Sequence, residues 1–280
     1  MQGQTPTGRA TVGLLRLPGN GVVRCIGFSK AVPVPMRRRE LPSRHITLMI
    51  SFGEPLVVVD DDRRRSVRSF VSGLQSESAV TERLGHQHGL HVELSPLAAY
   101  SLLGLPMHTL TDVLVDLPAV LGSTSVELVE RLAGAKDWPE RFTLLQAALA
   151  VRMMSGPEPT PAVKWAWRRL RATHGSARIG ELVQHAGLSH RHLVARFREE
   201  VGMTPKSLAR VLRFEHSLTM LQQSGTTLAE VAAAAGYCDQ AHLSRDFRAL
   251  AGCTPGTLLG ADGVRGVGSD FSKTTSGAPS

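Results

Sequence analysis

The C-terminal third of the chain alternates short amphipathic helix patterns with glycine-containing turns. One apolar pattern of helical period runs around Glu181 to Gly187 and another around Glu230 to Gly236, and each ends in Ala-Gly. A further helix pattern follows each turn, with apolar residues at Leu193, Phe197 and Val201 and at Leu243, Phe247 and Leu250. Two short helices joined by a tight turn predict a helix-turn-helix, so the pattern predicts two of them.

The two units are copies of one another. Residues 189–205 recur at 239–255 with seven identical residues, whereas the Ala-Gly pairs lie forty-nine positions apart, which gives the second turn one extra residue. We expect Gly187 to adopt the left-handed turn conformation, and Ser189 and Asp239 to cap the second helix of each unit. That second helix is the usual recognition helix of such a motif.

A long helix is predicted between the two units. Thr204 and Pro205 open it, with Pro at the first helical position, and apolar residues at helical spacing continue until Gly225. Thr227 to Glu230 then forms a capping box that starts the second unit. Arg178 stands at the equivalent place in the first unit and offers no such cap.

The exposed face of each recognition helix follows from the same geometry, because residues at i, i+4 and i+7 share a face. Opposite the apolar stripes stand Arg191, Ala195 and Arg198 in the first copy and Ala241, Arg245 and Arg248 in the second. Arginine can bond a guanine edge or a phosphate oxygen. Early positions in such a helix more often contact bases, and later positions more often contact the backbone.

The N-terminal half predicts a β-rich core with helices. Residues 45–52, 56–59, 70–74 and 90–95 have the pattern of strands, with a Gly-Glu-Pro turn between the first two. Helical patterns take over from Leu97, and Ser125 to Leu132 and Glu140 to Met154 predict amphipathic helices. These helices could pack on the sheet, dock the next domain or pair two subunits, and core packing is the favoured use.

The predicted fold is an α+β N-terminal domain followed by an all-α domain with two helix-turn-helix motifs joined by a long linker helix. Three prolines between Ser155 and Pro161 end the preceding helix pattern. We therefore expect an N-terminal domain at 1–155, a linker at 156–160, a DNA-binding domain at 161–260 and a disordered Gly-, Ser- and Thr-rich tail at 261–280. A chain of 280 residues is long enough for two cores.

Charge is compatible with a nucleic-acid partner without establishing one. The chain has 32 Lys and Arg against 24 Asp and Glu, and residues 161–260 hold 13 against 7 of these. The three cysteines lie far apart without metal spacing, and the sequence shows neither a membrane-spanning run nor a signal-peptide pattern. These features predict a cytoplasmic location and no membrane partner.

Residues 161–260 resemble the DNA-binding domain of the AraC/XylS family of bacterial transcription regulators. The matching segments are AGLSHRHLVARFREEVGMTP, LARVLRFEHSLTMLQ and LAEVAAAAGYCDQAHLSRDFRALAGCTP. The resemblance implies that the two units enter successive major-groove segments on one side of the duplex. It also implies base-facing residues at Arg191, Val194 and Ala195, then at Gln240, Ala241, Ser244 and Arg245.

One residue departs from this family's pattern. Members often carry Arg where Ala195 stands, and the neighbouring Arg196 points nearer the flank, which makes Arg191 the better candidate in the first unit. The N-terminal half resembles, more loosely, an uncharacterised domain found ahead of the same DNA-binding domain in other bacterial regulators, in HITLMISFGEPL and LSPLAAYSLLGLPMHTLTDVLVDL. Such domains bind small effectors, mediate dimerisation or do both, and these alternatives stay open here.

Other clusters have simpler interpretations. His86, His88 and His91 could share a metal, but a turn leading into a strand explains them equally well. We expect the charged run 60–65 to be a solvated loop and Arg37 to Arg39 to be an exposed loop. No nucleophile elbow, phosphate loop, metal spacing or reactive cysteine pair is present, so we expect no catalytic residue, no metal, no cofactor and no enzymatic activity.

The sequence thus predicts a transcription regulator that reads major-groove bases with two recognition helices and is modulated by its N-terminal domain. Double-stranded promoter DNA is the expected partner. A small-molecule effector at the N-terminal domain, a second copy of the chain and RNA polymerase are further candidate partners. The alternatives are an enzyme or an architectural DNA-binding protein that carries the same module.

Overall fold

The structure is a computed structural model, and it describes residues 8–17, 21–60, 63–223 and 225–260. The strands in these ranges are β1 (Gly8–Leu17), β2 (Gly21–Glu40), β3 (Ile46–Ser51), β4 (Leu56–Asp60), β5 (Arg63–Val67), β6 (Phe70–Ser72), β7 (Ala79–Leu94) and β8 (Leu114–Asp116). The helices are α1 (Pro96–Leu103), α2 (Leu117–Leu121), α3 (Thr124–Gly134), α4 (Trp138–Ser155), α5 (Pro161–Ala172), α6 (Ile179–Ala186), α7 (His190–Val201), α8 (Pro205–Leu221), α9 (Leu228–Ala234), α10 (Gln240–Ala251) and α11 (Pro255–Gly260), with a 3-10 turn at Met107–Leu110.

The strands form one antiparallel sheet in the order β1-β2-β7-β3-β6-β8, and β4 pairs with both β5 and β7. The long strands β2 and β7 organise it, and their register shifts between Val32 and Met36, where Pro33 and Pro35 supply no N–H donors. Beyond this bulge β7 changes its other partner from β4 to β3. The sheet therefore curls into a half-barrel.

The strands predicted at 45–52, 56–59, 70–74 and 90–95 are confirmed as β3, β4, β6 and the end of β7, and the predicted helices are confirmed as α3 and α4. The expectation of an arginine loop at 37–39 was wrong, because these residues lie in β2. The solvated loop expected at 60–65 was wrong as well. Asp60 ends β4, residues 63–65 begin β5, and residues 61–62 lie outside the described ranges. The prolines of β2 and the exposed arginines of β5 interrupt the alternation of apolar and polar residues. Prediction of a strand from sequence depends on that alternation.

The apolar core is continuous between the two halves of the chain. One buried cluster extends from Leu15 in β1 through Leu145 in α4 and Val163 in α5 to Leu258 in α11. The two cores expected from chain length are thus joined. The prolines do end α4 at Ser155 and start α5 at Pro161, but the division into domains stays a prediction, and the expected tail lies outside the described residues. Among the described residues, no helix has both the length and the apolar character needed to cross a membrane.

An ion pair with a buried carboxylate joins the halves at α8. The Glu215 carboxylate is buried and accepts hydrogen bonds from the Arg44 backbone N–H at 3.0 Å and from Arg44 Nη1 at 3.1 Å. Burial raises the pKa of Glu215, and the Arg44 guanidinium opposes that shift. A buried carboxylate that lost this partner would be strongly destabilising, so the contact holds the half-barrel to the helical region.

His91 lies near the C-terminal end of β7, where burial lowers its pKa from 6.5 to about 4. Glu40 acts in the opposite direction, and the positive charges of Arg83, Arg38 and Arg24 add to the lowering. The imidazole is therefore neutral in the fold at pH values where it would be protonated in an unfolded chain.

We expect the free energy of unfolding to fall as pH decreases from 6.5 to about 4, since only the unfolded chain binds the proton at His91 in that window. This difference in pKa corresponds to about 3 kcal/mol. Urea unfolding at pH 7 and pH 4.5 measures the loss of unfolding free energy between these pH values. We expect this loss to be smaller in His91→Gln. Burial also lowers the pKa of His45 to about 4, so part of the pH dependence should remain.

The matched control is His108→Gln, which replaces an exposed histidine outside the sheet. This variant should keep the full loss of stability at acidic pH. Equal pH dependence in the two variants would contradict the role assigned to His91.

Candidate nucleic-acid interface

The first helix-turn-helix has the predicted turn and cap. Gly187 ends α6 in the left-handed region with φ 62°, which an L side chain adopts only with strain. Ser189 then caps α7, and its hydroxyl oxygen accepts from the His192 N–H at 3.3 Å. Arg178 precedes α6 without a side-chain cap.

The second unit repeats this arrangement with a longer turn. The Thr227 and Glu230 capping box is present at the start of α9. Residues 235–239 separate α9 from α10, Gly236 has φ 78°, and Asp239 caps α10 by accepting from the His242 N–H at 2.6 Å. Tyr237 is buried within this turn. The extra residue expected from the unequal offsets is thus accommodated in the turn, without altering the recognition helix.

The buried faces of α7 and α10 are equivalent. The fully or almost fully buried residues are Leu193, Phe197 and Val201 in α7, and Leu243, Phe247 and Leu250 in α10. Phe247 meets Phe214 of α8 edge to face, with ring centroids 4.8 Å apart. These contacts fix which side of each helix faces away from the protein.

The linker helix α8 begins as predicted at Pro205, and the Thr204 hydroxyl accepts from the Ser207 N–H at 3.1 Å. It ends at Leu221, earlier than the predicted stop at Gly225. The following residues Gln222 and Gln223 are exposed, so no packed face sustains the helix further. Arg210 of α8 donates from Nε to the buried carboxylate of Asp246 in α10 at 2.7 Å, which fixes one recognition helix to the linker.

All nine residues predicted to contact DNA lie on α7 and α10. Seven of them are exposed, namely Arg191, Ala195, Arg198, Gln240, Ala241, Arg245 and Arg248, and two are half-buried, namely Val194 and Ser244. Each helix therefore presents its candidates on the face opposite its buried stripe. Their contact with DNA stays a prediction.

The arginines of this region divide into two sets. Arg169 pairs with Glu181 at 2.8 Å, Arg196 with Glu199 at 3.4 Å and Arg210 with Asp246 at 2.7 Å. Within the part of the chain that the structure describes, the side chains of Arg191, Arg198, Arg245 and Arg248 make no ion pair or hydrogen bond. Unpaired exposed guanidinium groups are available for base edges and phosphates.

The tryptophans of α5 and the histidines of β7 pack against neighbouring side chains. Trp167 is buried, and half-buried Trp165 stacks on His185 with centroids 3.6 Å apart. His86 and His88 lie in β7 near one another, where His88 packs edge to face against Phe52 and Trp138. In the described ranges no three His, Cys, Asp or Glu side chains come together as a metal site would require.

Sequence reasoning missed residues of the N-terminal half that contact the ends of the recognition helices. Arg39 Nη1 donates to the Ala251 carbonyl of α10 at 2.7 Å, and Thr111 Oγ1 donates to the Gly202 carbonyl after α7 at 2.9 Å. The partners lie 212 and 91 positions apart in the chain, so no local pattern could reveal them.

Comparison with known proteins matches the same region. Residues 182–261 match the family described as a helix-turn-helix domain. The HTH-type transcriptional regulator GlxA of Rhizobium meliloti (strain 1021) is 41% identical over 73 residues, 26% of this chain and 22% of the relative. The HTH-type transcriptional regulator Rv1931c of Mycobacterium tuberculosis is 33% identical over 81 residues, 29% of this chain and 31% of the relative. The match thus spans less than a third of either relative.

This match to a helix-turn-helix domain agrees with the resemblance of residues 161–260 to the DNA-binding domain of the AraC/XylS family. The two relatives are both named as transcriptional regulators. Among solved structures, ToxT from Vibrio cholerae aligns with 85% of this chain and 97% of its own at 10% identity and a TM-score of 0.46.

We expect Asp239→Ala to lower the free energy of unfolding by about 1 kcal/mol, because the substitution removes the side-chain acceptor at the start of α10. Asp239→Asn keeps an acceptor oxygen and should stay within about 0.5 kcal/mol of the unsubstituted protein. Urea unfolding followed by circular dichroism measures both. Equal loss in the two variants would show that the carboxylate charge, rather than the cap, stabilises the helix.

Proposed function

We propose that this protein is a sequence-specific DNA-binding transcription regulator that reads major-groove bases with α7 and α10. The observation that carries the proposal is the matched pair of helices, each held by an equivalent apolar stripe and each presenting unpaired arginines on its opposite face. A double-stranded promoter is the partner that such a surface fits, because arginine can bond guanine edges and phosphates alike.

The position of each side chain along its helix divides the proposed contacts. Base contacts are assigned to the earlier turns, with Arg191, Val194 and Ala195 on α7 and Gln240, Ala241, Ser244 and Arg245 on α10. Arg198 and Arg248 stand later on the same faces and are assigned to phosphates. The pairing of Arg196 with Glu199 agrees with leaving Arg196 out of this set.

The N-terminal half is proposed to modulate DNA binding through a small effector, a dimer contact or both. The ion pair between Arg44 and Glu215 and the hydrogen bonds to Gly202 and Ala251 support this role, since they connect the half-barrel with α8 and with the ends of both recognition helices. RNA polymerase is a further proposed partner. The proposed location of the protein is the cytoplasm. An enzyme carrying this module would need a catalytic arrangement, and an architectural protein would have no use for a large apolar companion half.

Random-site selection on duplex DNA tests the function directly. With the purified chain at near-physiological salt, we expect an enriched motif of two blocks about one helical turn, or 34 Å, apart. Low salt would let phosphate contacts dominate. Binding without enrichment, which fades as salt rises, would contradict specific recognition and favour an architectural role.

Arg245→Ala and Arg248→Ala test the division between bases and backbone. We expect Arg245→Ala to cost about 1–3 kcal/mol on the selected site and to relax specificity there, because a base contact is lost. Arg248→Ala should weaken all sequences alike and reduce the slope of log affinity against log salt by about 1. Titrations on selected and scrambled duplexes separate these results, and uniform weakening by both variants would make the assignment wrong.

A further inference from the structure

The turn between α5 and α6 packs its backbone directly on α8. The α5 helix packs on both helices of the first unit, α6 and α7, and also on α8, so this turn lies where the first unit joins the linker helix. Gly175 has φ 80°, and a Cβ atom there would collide with the Ala209 carbonyl oxygen. Beside it, His174 has φ 48° and stacks on His216 of α8, with ring centroids 4.0 Å apart. The turn thus has one close-fitting place on the linker helix.

The turn of the second helix-turn-helix lies against the same region. A Cβ atom at Gly236 would be 3.5 Å from the Ser176 Cβ atom and 4.0 Å from the Arg213 Cδ atom. The next residue, Tyr237, is buried. The turn that precedes α6 and the turn that precedes α10 therefore lie close to one another beside α8.

Arg213 of α8 connects these two turns. Its Nη1 donates to the Gly175 carbonyl at 3.1 Å, and its guanidinium lies over the Tyr237 ring, 5.7 Å from the ring centroid. The planar guanidinium can donate to a carbonyl in its own plane while its face stays against a ring. One half-buried side chain therefore links the first unit to the second.

Two other contacts of α8 join it to the second recognition helix. Arg210 pairs with Asp246, and Phe214 packs on Phe247. These contacts fix α10 on the linker helix. The position of the first unit relative to the second also depends on contacts that reach both, and Arg213 makes such a contact.

We propose that Arg213 is a positioning residue that fixes the separation of α7 and α10, and thereby sets the spacing between the two DNA blocks that the protein accepts. Arg213 itself does not touch DNA. A change of one base pair moves a block by about 3.4 Å and by about a tenth of a helical turn, so a small movement of one unit changes the spacing that fits. The effect on DNA rests on the proposed function, whereas the effect on helix separation does not.

Pulsed electron paramagnetic resonance on the full chain without DNA tests the separation. Spin labels are attached at Ala195→Cys on α7 and Ala241→Cys on α10, both of which are exposed positions. Cys238→Ser and Cys253→Ser remove the two accessible thiols, and Cys25 is buried and can remain. The measured quantity is the width of the distance distribution between the two labels.

Three replacements of Arg213 are compared in the labelled chain. Arg213→Met keeps the apolar part of the side chain but loses the donor and the charge, so we expect a distribution about 1.5-fold wider. Arg213→Gln loses the contact with the ring and should widen the distribution as much, which keeps the test valid if Arg213→Met does not fold. Arg213→Lys keeps a charged donor and should recover part of the narrow distribution.

The matched control is Lys206→Met, which removes an exposed cation near the start of the same helix. It should leave the width of the distribution unchanged. Equal widths in the unsubstituted chain and in folded Arg213→Gln would overturn the proposal.

Binding to duplexes of altered spacing tests the consequence for recognition. The selected site is compared with versions in which the segment between its two blocks is one base pair longer or shorter. We expect this change to weaken the unsubstituted chain and Lys206→Met by about tenfold or more, since a misplaced block loses base contacts. In Arg213→Met and Arg213→Gln the loss should be about threefold or less, because units that move independently can adapt to either spacing. Arg213→Lys should lie between these values.

A purely structural role of Arg213 would lower the stability of its variants without changing the ratio of affinities for the different spacings. That unchanged ratio would overturn the proposed control of spacing. If the chain selects no DNA sequence at all, the proposed function fails, and the distance distribution alone then decides whether Arg213 fixes the separation of the helices.

Discussion

Packing of the linker helix α8 between α5, which packs on both helices of the first helix-turn-helix, and the two helices of the second is the constraint on which the remaining structure depends. DNA presents its successive major-groove segments at a fixed repeat of about 34 Å, so two recognition helices in one chain are useful only at a fixed separation. Phe214 packs on Phe247, and Arg210 pairs with the buried carboxylate of Asp246, so the second unit has a defined place on α8. Most of the apolar side chains of α8 are buried, which limits rotation of one unit against the other.

The same helix receives the main polar contact from the half-barrel, the pairing of Arg44 with Glu215. Hydrogen bonds to the ends of α7 and α10 add two further connections. The neutral bond from Thr111 contributes about 0.5–1.5 kcal/mol net, the bond from the charged Arg39 contributes about 1.5–3 kcal/mol, and coupling between two sites in regulated proteins amounts to about 1–3 kcal/mol. Two such bonds are therefore sufficient in magnitude for the N-terminal half to influence DNA binding. The apolar core is continuous between the halves. A structural change in the half-barrel can therefore be transmitted to the helical region through packed side chains.

The sequence predicted the helical region more completely than the half-barrel, for a physical reason. The determinants of a helix-turn-helix are local: Gly187 and Gly236 in the turns, Ser189 and Asp239 as caps, and apolar stripes of helical period. The determinants of β2 are its partners, because Pro33 and Pro35 remove the local signal and β7 supplies the pairing from 39 to 69 residues away. For the same reason exposure of the candidate DNA-contacting face could be predicted, whereas the contacts of Arg39 and Thr111 could not.

The two copies are alike in their buried residues and different in their exposed ones, and this difference bears on what they can recognise. Arg191 corresponds to Ala241, and Ala195 corresponds to Arg245, so each helix keeps one early arginine but at positions four residues apart. At a rise of 1.5 Å per residue the guanidinium groups are displaced by about 6 Å along their helices. That distance is nearly two base-pair steps of about 3.4 Å. Two helices that dock alike would therefore place their arginines over different base pairs of their half-sites, so a duplicated domain of this kind is suited to an asymmetric site rather than to a direct repeat of one block.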